Sequence, residues 1–135
     1  MLISKIWGYK ETVYRDEKRQ IDILYLKKDT FCSWHYHHNK INQLILLNGR
    51  VNISLETNLK KINYELCLYN GAFIFPLSLH QFVVLEDSIM VEISYVKEGK
   101  LDYEGDIIRL KQGGGIIAGV EYTEDELKKR KGWDK

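Results

Sequence analysis

Alternation of apolar and polar residues is the dominant pattern in this sequence, and it indicates β-strands rather than helices. In residues 20–27, for example, Ile21, Ile23 and Tyr25 fall on one side of an extended chain. β-branched and aromatic residues are frequent throughout, including nine Tyr, four Phe and three Trp, as is typical of β-sheets. Many short strands with no room for helical crossovers predict an all-β fold, an antiparallel sandwich or barrel of about nine or ten strands.

Turn-forming residues divide the chain into these strands. Asn48-Gly49 predicts a tight hairpin, because a type I′ turn needs two residues that tolerate positive φ. A further turn is predicted at Glu86-Asp-Ser88, and Gly113-Gly-Gly115 is predicted to be a flexible connector. Thr123 and Glu126 form a capping box, which predicts a single short C-terminal helix. The predicted strands are 11–15, 20–27, 30–37, 44–47, 51–56, 61–69, 72–75, 79–86, 89–96 and 106–110, and the predicted helix is 124–131.

Length and charge limit the classes of protein that fit this chain. Its 135 residues suit one domain. Twenty Lys and Arg balance nineteen Asp and Glu, so no overall basic field indicates nucleic acid or an anionic membrane as a partner. No apolar segment approaches the roughly 20 residues that span a bilayer, and the N-terminus lacks the features of a signal peptide. We therefore expect a cytoplasmic protein without nucleic-acid or membrane partners.

The two cysteines are predicted to be structural. Cys32 and Cys67 lie in apolar, strand-like runs and lack CxxC spacing, so we expect buried free thiols. Strand alternation would turn Cys32 away from the face that carries His35.

Three histidines suggest a metal site. His35 and His37 stand two residues apart, so their imidazoles leave the same face of an extended strand. His80 lies far downstream, four residues after the only proline, Pro76. Three neutral imidazoles can bind Zn, Fe, Mn, Ni or Co and leave positions open for water or substrate. The alternatives are that these are ordinary polar residues or the remnant of a metal site. His38 is expected to face solvent from a polar loop.

These segments resemble the two halves of the cupin signature: a His-x-His strand followed by glycine, then glycine, proline and histidine. Over residues 7–111 the chain is also similar to the cupin domain of the type II mannose-6-phosphate isomerase and mannose-1-phosphate guanylyltransferase family. The matching positions are Trp7-Gly8, His35, His37, Gly49, Gly71, Pro76, His80, Val91-Glu-Ile93 and Gly105-Asp-Ile-Ile-Arg109. The resemblance implies a small cupin β-barrel (double-stranded β-helix) that holds a divalent transition metal and acts on a sugar or sugar phosphate.

The chain departs from the cupin pattern at two places. Asn42 occupies the position of the usual acidic metal ligand, so the metal would be bound less tightly or act as a stronger Lewis acid. Its side-chain oxygen remains a possible uncharged ligand, which gives His35, His37, His80 and Asn42 as the candidate ligand set. Leu77-Ser78 replaces the glycine that normally precedes the second-half histidine.

Three further residues are candidates for catalysis and substrate binding. Glu92 is a carboxylate in an otherwise apolar strand, where burial would raise its pKa, and it is the candidate general acid/base. A core carboxylate satisfied by Arg109, or an outward-facing residue, is the alternative role for Glu92. By resemblance, Arg109 and Lys40 match basic positions that could hold a phosphate or sugar oxygens. Surface charge is the alternative for both.

These observations predict one cupin domain over residues 1–135, with a barrel core at about 7–111 and a C-terminal extension at 112–135. We expect an aldose–ketose isomerase or epimerase that resembles mannose-6-phosphate isomerase and forms a homodimer. Another metal-dependent cupin enzyme, such as an oxygenase or lyase, is the first alternative. A non-enzymatic cupin that binds a sugar or other small ligand is the second, since one barrel serves many functions.

Overall fold

A computed structural model describes residues 2–58, 60–102 and 105–130. Within these ranges the chain forms twelve β-strands and one α-helix. The strands are β1 Leu2–Lys5, β2 Gly8–Arg15, β3 Arg19–Leu26, β4 Thr30–Phe31, β5 Trp34–Tyr36, β6 Ile41–Glu56, β7 Lys61–Glu65, β8 Gly71–Ile74, β9 Leu79–Tyr95, β10 Ile108–Lys111, β11 Gly114–Ile117 and β12 Val120–Thr123; the helix is α1 Glu124–Lys128.

Two long antiparallel strands, β6 and β9, pair with each other along most of their length, and most of the other strands pair with one of them. They pair from Ile41 opposite Tyr95 to Glu56 opposite Leu79. The C-terminal half of β9 pairs with β3, which continues through β2 to β1, while β8 pairs with the first half of β6. The other half of β9 pairs with β4 and β5, and β7 pairs with the second half of β6. The pair therefore passes from one face of the barrel to the other, which confirms the predicted all-β, cupin-like architecture.

The hairpin predicted at Asn48-Gly49 is wrong, and so is the turn predicted at Glu86-Asp-Ser88. Both segments lie inside the long strands, where the register between β6 and β9 shifts. Gly49 has a φ of 92°, and an added Cβ would lie 2.1 Å from Ser88 Oγ. The glycine thus permits an irregular, close crossing of two bent strands, since the positive φ that suits a hairpin turn also suits a bulge.

Two turns lie where the predicted strand boundaries place them, between 11–15 and 20–27 and between 51–56 and 61–69. Asp16 and Arg19 close the β2–β3 turn through a backbone hydrogen bond of 2.9 Å. Thr57 and Lys60 exchange backbone hydrogen bonds between β6 and β7. The histidine-bearing strand predicted at 30–37 is divided into β4 and β5.

The C-terminal segment contributes to the sheet. Gly113-Gly-Gly115 is not a flexible connector, because Gly114 and Gly115 belong to β11, which pairs with both β4 and β12. A Cβ on Gly114 would lie 1.9 Å from the carbonyl oxygen of Tyr122, so the close strand approach requires glycine. The division into a barrel core and a C-terminal extension stays a prediction.

Helix α1 begins at the predicted capping box. The Thr123 side chain accepts from the Glu126 backbone N–H, and the Glu126 side chain accepts from the Thr123 N–H. Leu127 buries its side chain completely beneath the helix. The predicted end at Lys131 lies outside the described residues. In the described part of the chain, no helix has the length and apolar character to cross a membrane.

The hydrophobic core lies between the two faces of the barrel. Leu24, Leu46, Ile53 and Met90 are among its fully buried side chains. Cys32 joins this core, as predicted, although the break between β4 and β5 brings it to the cavity that His35 also lines.

The second cysteine does not follow the prediction of two buried thiols. Cys67 is exposed and lies beyond β7, a strand whose residues are themselves all exposed.

Candidate metal centre

Strand pairing brings His35 and His80 together. His35 in β5 lies directly opposite His80 in β9, and such pairs project from the same face of an antiparallel sheet. Their ring centroids are 4.3 Å apart. The bend that places β5 beside the start of β9 thus joins the two halves of the sequence pattern.

His37 follows β5 directly and completes the group. Its ring centroid lies 5.1 Å from that of His35 and 5.3 Å from that of His80. One nitrogen of each ring lies within 4.8 Å of the others, so these three residues, here called the imidazole triad, could hold a metal ion. A small inward movement of the three rings would place each nitrogen at about 2.1 Å from a shared metal ion, the distance typical of imidazole ligands.

The second nitrogen of each triad ring faces a backbone carbonyl. His35 Nδ1 lies 2.9 Å from the Ser33 oxygen, and His80 Nδ1 lies 2.9 Å from the Ser78 oxygen. His37 Nδ1 lies 2.5 Å from the oxygen of Asp106. A carbonyl only accepts, so each Nδ1 donates and each Nε2 keeps its lone pair, as in metal-binding histidines oriented by an outer hydrogen bond.

The triad is neutral at physiological pH. Burial, together with the neighbouring His80 and His37, lowers the pKa of His35 to about 2. Burial is also the main cause that lowers the pKa of His37 to about 4 and that of His80 to about 4. Unprotonated imidazoles are the form that binds a metal.

Asp106 holds the loop that follows His37, a role that was not predicted from the sequence. Its carboxylate accepts hydrogen bonds from the backbone N–H groups of His38, Asn39 and Lys40, at 2.6, 3.0 and 3.0 Å. Although burial opposes the shift, these donors lower its pKa. The partners are 66 to 68 positions apart, so no local spacing could have revealed them.

Asn42 lies beside the triad and is only 2% exposed. Its Nδ2 faces His37 Nε2 at 3.3 Å and donates to Glu92 Oε2 at 3.2 Å. Its Oδ1 is buried and has no hydrogen-bond partner among the described residues. An unsatisfied buried oxygen beside three imidazole nitrogens fits a divalent metal, provided the amide rotates so that Oδ1 faces the ion.

Glu92 reaches the same interior from the opposite face of the barrel. Burial raises its pKa; the charge of Lys40 opposes this shift and that of Asp22 adds to it. Asp22 lies directly opposite Glu92 in the β3–β9 pair and accepts hydrogen bonds from Thr12 and Gln20. Glu92 therefore holds its proton more strongly than an exposed glutamate does.

The two predicted substrate-binding residues line the cavity that opens from the triad. Arg109 in β10 lies directly opposite His35 in β5, so its side chain leaves the same face. Lys40 extends from the loop fixed by Asp106. The cavity has a volume of about 1260 Å³ and is also bounded by β1 and α1.

Searches of solved structures show which class this architecture defines. The chain superposes with a TM-score of 0.66 on the capsular polysaccharide assembling protein CapF from Staphylococcus aureus, at 19% identity over 82% of this chain and 34% of that one. Oxalate decarboxylase from Bacillus subtilis gives a TM-score of 0.70 at 12% identity, over 82% of this chain and 30% of that one. These are cupin-fold proteins, and this chain has the cupin fold.

The extent of these matches differs. The chain spans about a third of the length of CapF and of oxalate decarboxylase, 34% and 30% respectively. KdgF from Halomonas sp. is matched over 81% of its length and 67% of this chain, with a TM-score of 0.57 and 13% identity. No family model matches the sequence, and no curated protein matches it either.

Proposed function

We propose that this protein binds one divalent transition metal through the imidazole triad and acts on a sugar or sugar phosphate as an aldose–ketose isomerase or epimerase. The convergence of three unprotonated Nε2 atoms beside a buried carboxyl group is the observation that carries this proposal. Asn42 is the proposed uncharged fourth ligand. The homodimer and the cytoplasmic location stay predictions.

The residues of the cavity have distinct proposed roles. A bound metal would supply Lewis-acid polarisation of a substrate carbonyl. Glu92 would move the proton between neighbouring carbons as general acid/base. Its Oε2 accepts from Asn42, which leaves Oε1 as the oxygen that would exchange the proton. Lys40 and Arg109 would bind the sugar oxygens or a phosphate. The buried triad would keep bulk water from the reacting end of the substrate.

Elemental analysis of protein purified without chelator tests the metal site. We expect about one transition-metal ion per wild-type chain, as one closed ligand set predicts, and almost none in His35→Ala/His37→Ala. His38→Ala is the matched control, because His38 is exposed and outside the triad. Equal metal content in wild type and the double variant would refute the metal site. A metal-free wild type would favour the non-enzymatic ligand-binding alternative.

A separate assay tests the reaction. Mannose 6-phosphate is incubated with the metal-loaded protein, and fructose 6-phosphate formation is followed by a coupled assay. Glu92→Gln should lower the rate by about 10²-fold or more while leaving the metal content unchanged, since it removes only the proton carrier. An unchanged rate in Glu92→Gln would exclude its catalytic role.

A metal-dependent lyase or oxygenase is the second candidate, since three imidazoles without an acidic ligand are also compatible with iron. Release of formate and carbon dioxide from oxalate, without turnover of mannose 6-phosphate, would support the lyase. Iron content with oxygen consumption would support the oxygenase.

A further inference from the structure

Two lysines from the N-terminal strands line the same cavity as His35 and His37 of the imidazole triad. Lys10 in β2 lies opposite the buried Leu24 in β3. Lys5 in β1 lies opposite Gly8 in β2, which in turn lies opposite the buried Leu26 in β3. Residues directly opposite one another share a face of the sheet, so both lysines leave the sheet on the face that carries Leu24 and Leu26, with Lys5 exposed at the edge strand and Lys10 half-buried. Both line the cavity.

Lys40 and Arg109 extend this group toward the triad. Arg109 lies opposite His35, and all four cations line one cavity. Among the residues that the structure describes, none of the four has an ion-pair partner, whereas Lys128 in the same cavity pairs with Glu124 at 3.2 Å. The four cations are therefore here called the free cation group.

The carboxylates of the cavity are engaged elsewhere. Asp106 accepts three backbone N–H groups, and Asp125 accepts from Gln112 Nε2 at 2.7 Å. Glu124 forms its ion pair within α1. Glu92 accepts a hydrogen bond from Asn42 and also lies within electrostatic range of Lys5, Lys10 and Lys40. Among the described residues that line the cavity, seven are Lys or Arg and four are Asp or Glu, so positive charge is in excess there.

Electrostatic coupling within the group is consistent with this arrangement. Partial burial lowers the pKa of Lys5, and the charges of Lys10 and Arg109 lower it further, whereas the charges of Glu92 and Glu124 oppose the shift. Like charges held together on a concave surface attract an anion, because binding it removes their mutual repulsion.

We propose that Lys5 and Lys10, together with Lys40 and Arg109, form a subsite for an anionic group of the ligand, either a phosphoryl group or a carboxylate. The use of this subsite in catalysis rests on the function proposed above, with the uncharged end of the substrate directed to the triad. The N-terminal strands β1 and β2 then determine specificity for charged over neutral sugars. Anion binding itself does not require a metal.

Calorimetric titration of inorganic phosphate into chelator-treated protein at low ionic strength tests the subsite. Wild type should bind phosphate saturably, and Lys5→Gln/Lys10→Gln should bind it at least about tenfold more weakly, since charge-assisted hydrogen bonds are lost. The matched control is Lys60→Gln/Lys97→Gln, which changes the net charge equally at exposed positions outside the cavity lining. The control should stay within about twofold of wild type, as expected for screened surface charges.

Two further arms separate the possible outcomes. Oxalate replaces phosphate in a parallel titration, and the tighter ligand identifies the phosphoryl or the carboxylate source. His35→Ala/His37→Ala should retain phosphate binding, so a failed metal site leaves this result standing. The subsite is refuted if wild type binds neither anion, if both lysine double variants weaken binding equally, or if only loss of the histidines abolishes it.

Discussion

Asp106→Asn tests whether one buried carboxylate holds the loop of the metal centre in place. Asp106 is 9% exposed, and its two oxygens accept from the backbone N–H groups of His38, Asn39 and Lys40. The amide that replaces it has a single accepting oxygen. Its NH₂ group would therefore face either the one donor of His38 or the two donors of Asn39 and Lys40.

The expected cost follows from these contacts. A hydrogen bond to a charged group contributes about 1.5–3 kcal/mol, and a donor that loses its acceptor in a buried place adds a desolvation penalty. With one or two such bonds lost, we expect the free energy of unfolding to fall by about 3 kcal/mol. Because His37 Nδ1 donates to the backbone oxygen of the same residue, metal affinity should also fall, by about 10-fold or more.

Urea unfolding of metal-free protein at pH 7 measures the stability, and competition with a chromophoric chelator measures the metal affinity. The difference between wild type and variant should also depend on pH. The folded pKa of Asp106 lies below its ordinary value of 3.8. Its contribution is therefore complete above that value and is lost as the pH falls through the folded pKa.

Asp29→Asn is the matched control, since Asp29 is exposed and the change in charge is the same. If Asp106→Asn destabilises no more than this control, the carboxylate does not hold the loop. If stability falls but metal affinity does not, Asp106 stabilises the loop without positioning His37.

Three further predictions concern the imidazole triad and its neighbours. In metal-free protein, the free energy of unfolding should fall between pH 7 and pH 5 by up to about 1.4 kcal/mol per pH unit for each triad imidazole. The reason is that only the unfolded chain takes up these protons below about pH 6.5. A free energy from urea unfolding that does not change over this range would contradict the lowered pKa values. Leu77→Gly should raise the unfolding free energy by about 1 kcal/mol, because Leu77 has a φ of 68°. Leu110→Gly, exposed on β10 without a positive φ, should lower it. Asn42→Asp should tighten metal binding but destabilise the metal-free protein, because it places a second carboxylate about 3.2 Å from Glu92 when no ion balances the two charges. A thermal shift assay with and without metal distinguishes these effects. Lower stability in both states would argue against a ligand role for Asn42.

The imidazole triad could be predicted from the sequence because strand geometry is local. The two-residue spacing of His35 and His37 fixes a common face in extended backbone, and a matching second segment supplied His80. The outer contacts could not be predicted in this way. Asp106 reaches the loop after His37 from 66 to 68 positions away, and only the path of the folded chain brings the two together.

Strand β3 shows why the interior of this barrel could not be inferred from hydrophobicity alone. Its more apolar face, with Ile21, Ile23 and Tyr25, is partly or largely exposed, while Gln20 and Asp22 are buried on the other face beside Leu24 and Leu26. The face with the polar residues is therefore the buried one, contrary to the usual rule that the more apolar face is buried. Asp22 tolerates burial because it accepts hydrogen bonds from Gln20 and Thr12, which replace those it would make with water. The same interior position places Asp22 opposite Glu92. The polar residues that weaken the strand signal in the sequence therefore include Asp22, which acts electrostatically on the candidate acid/base Glu92.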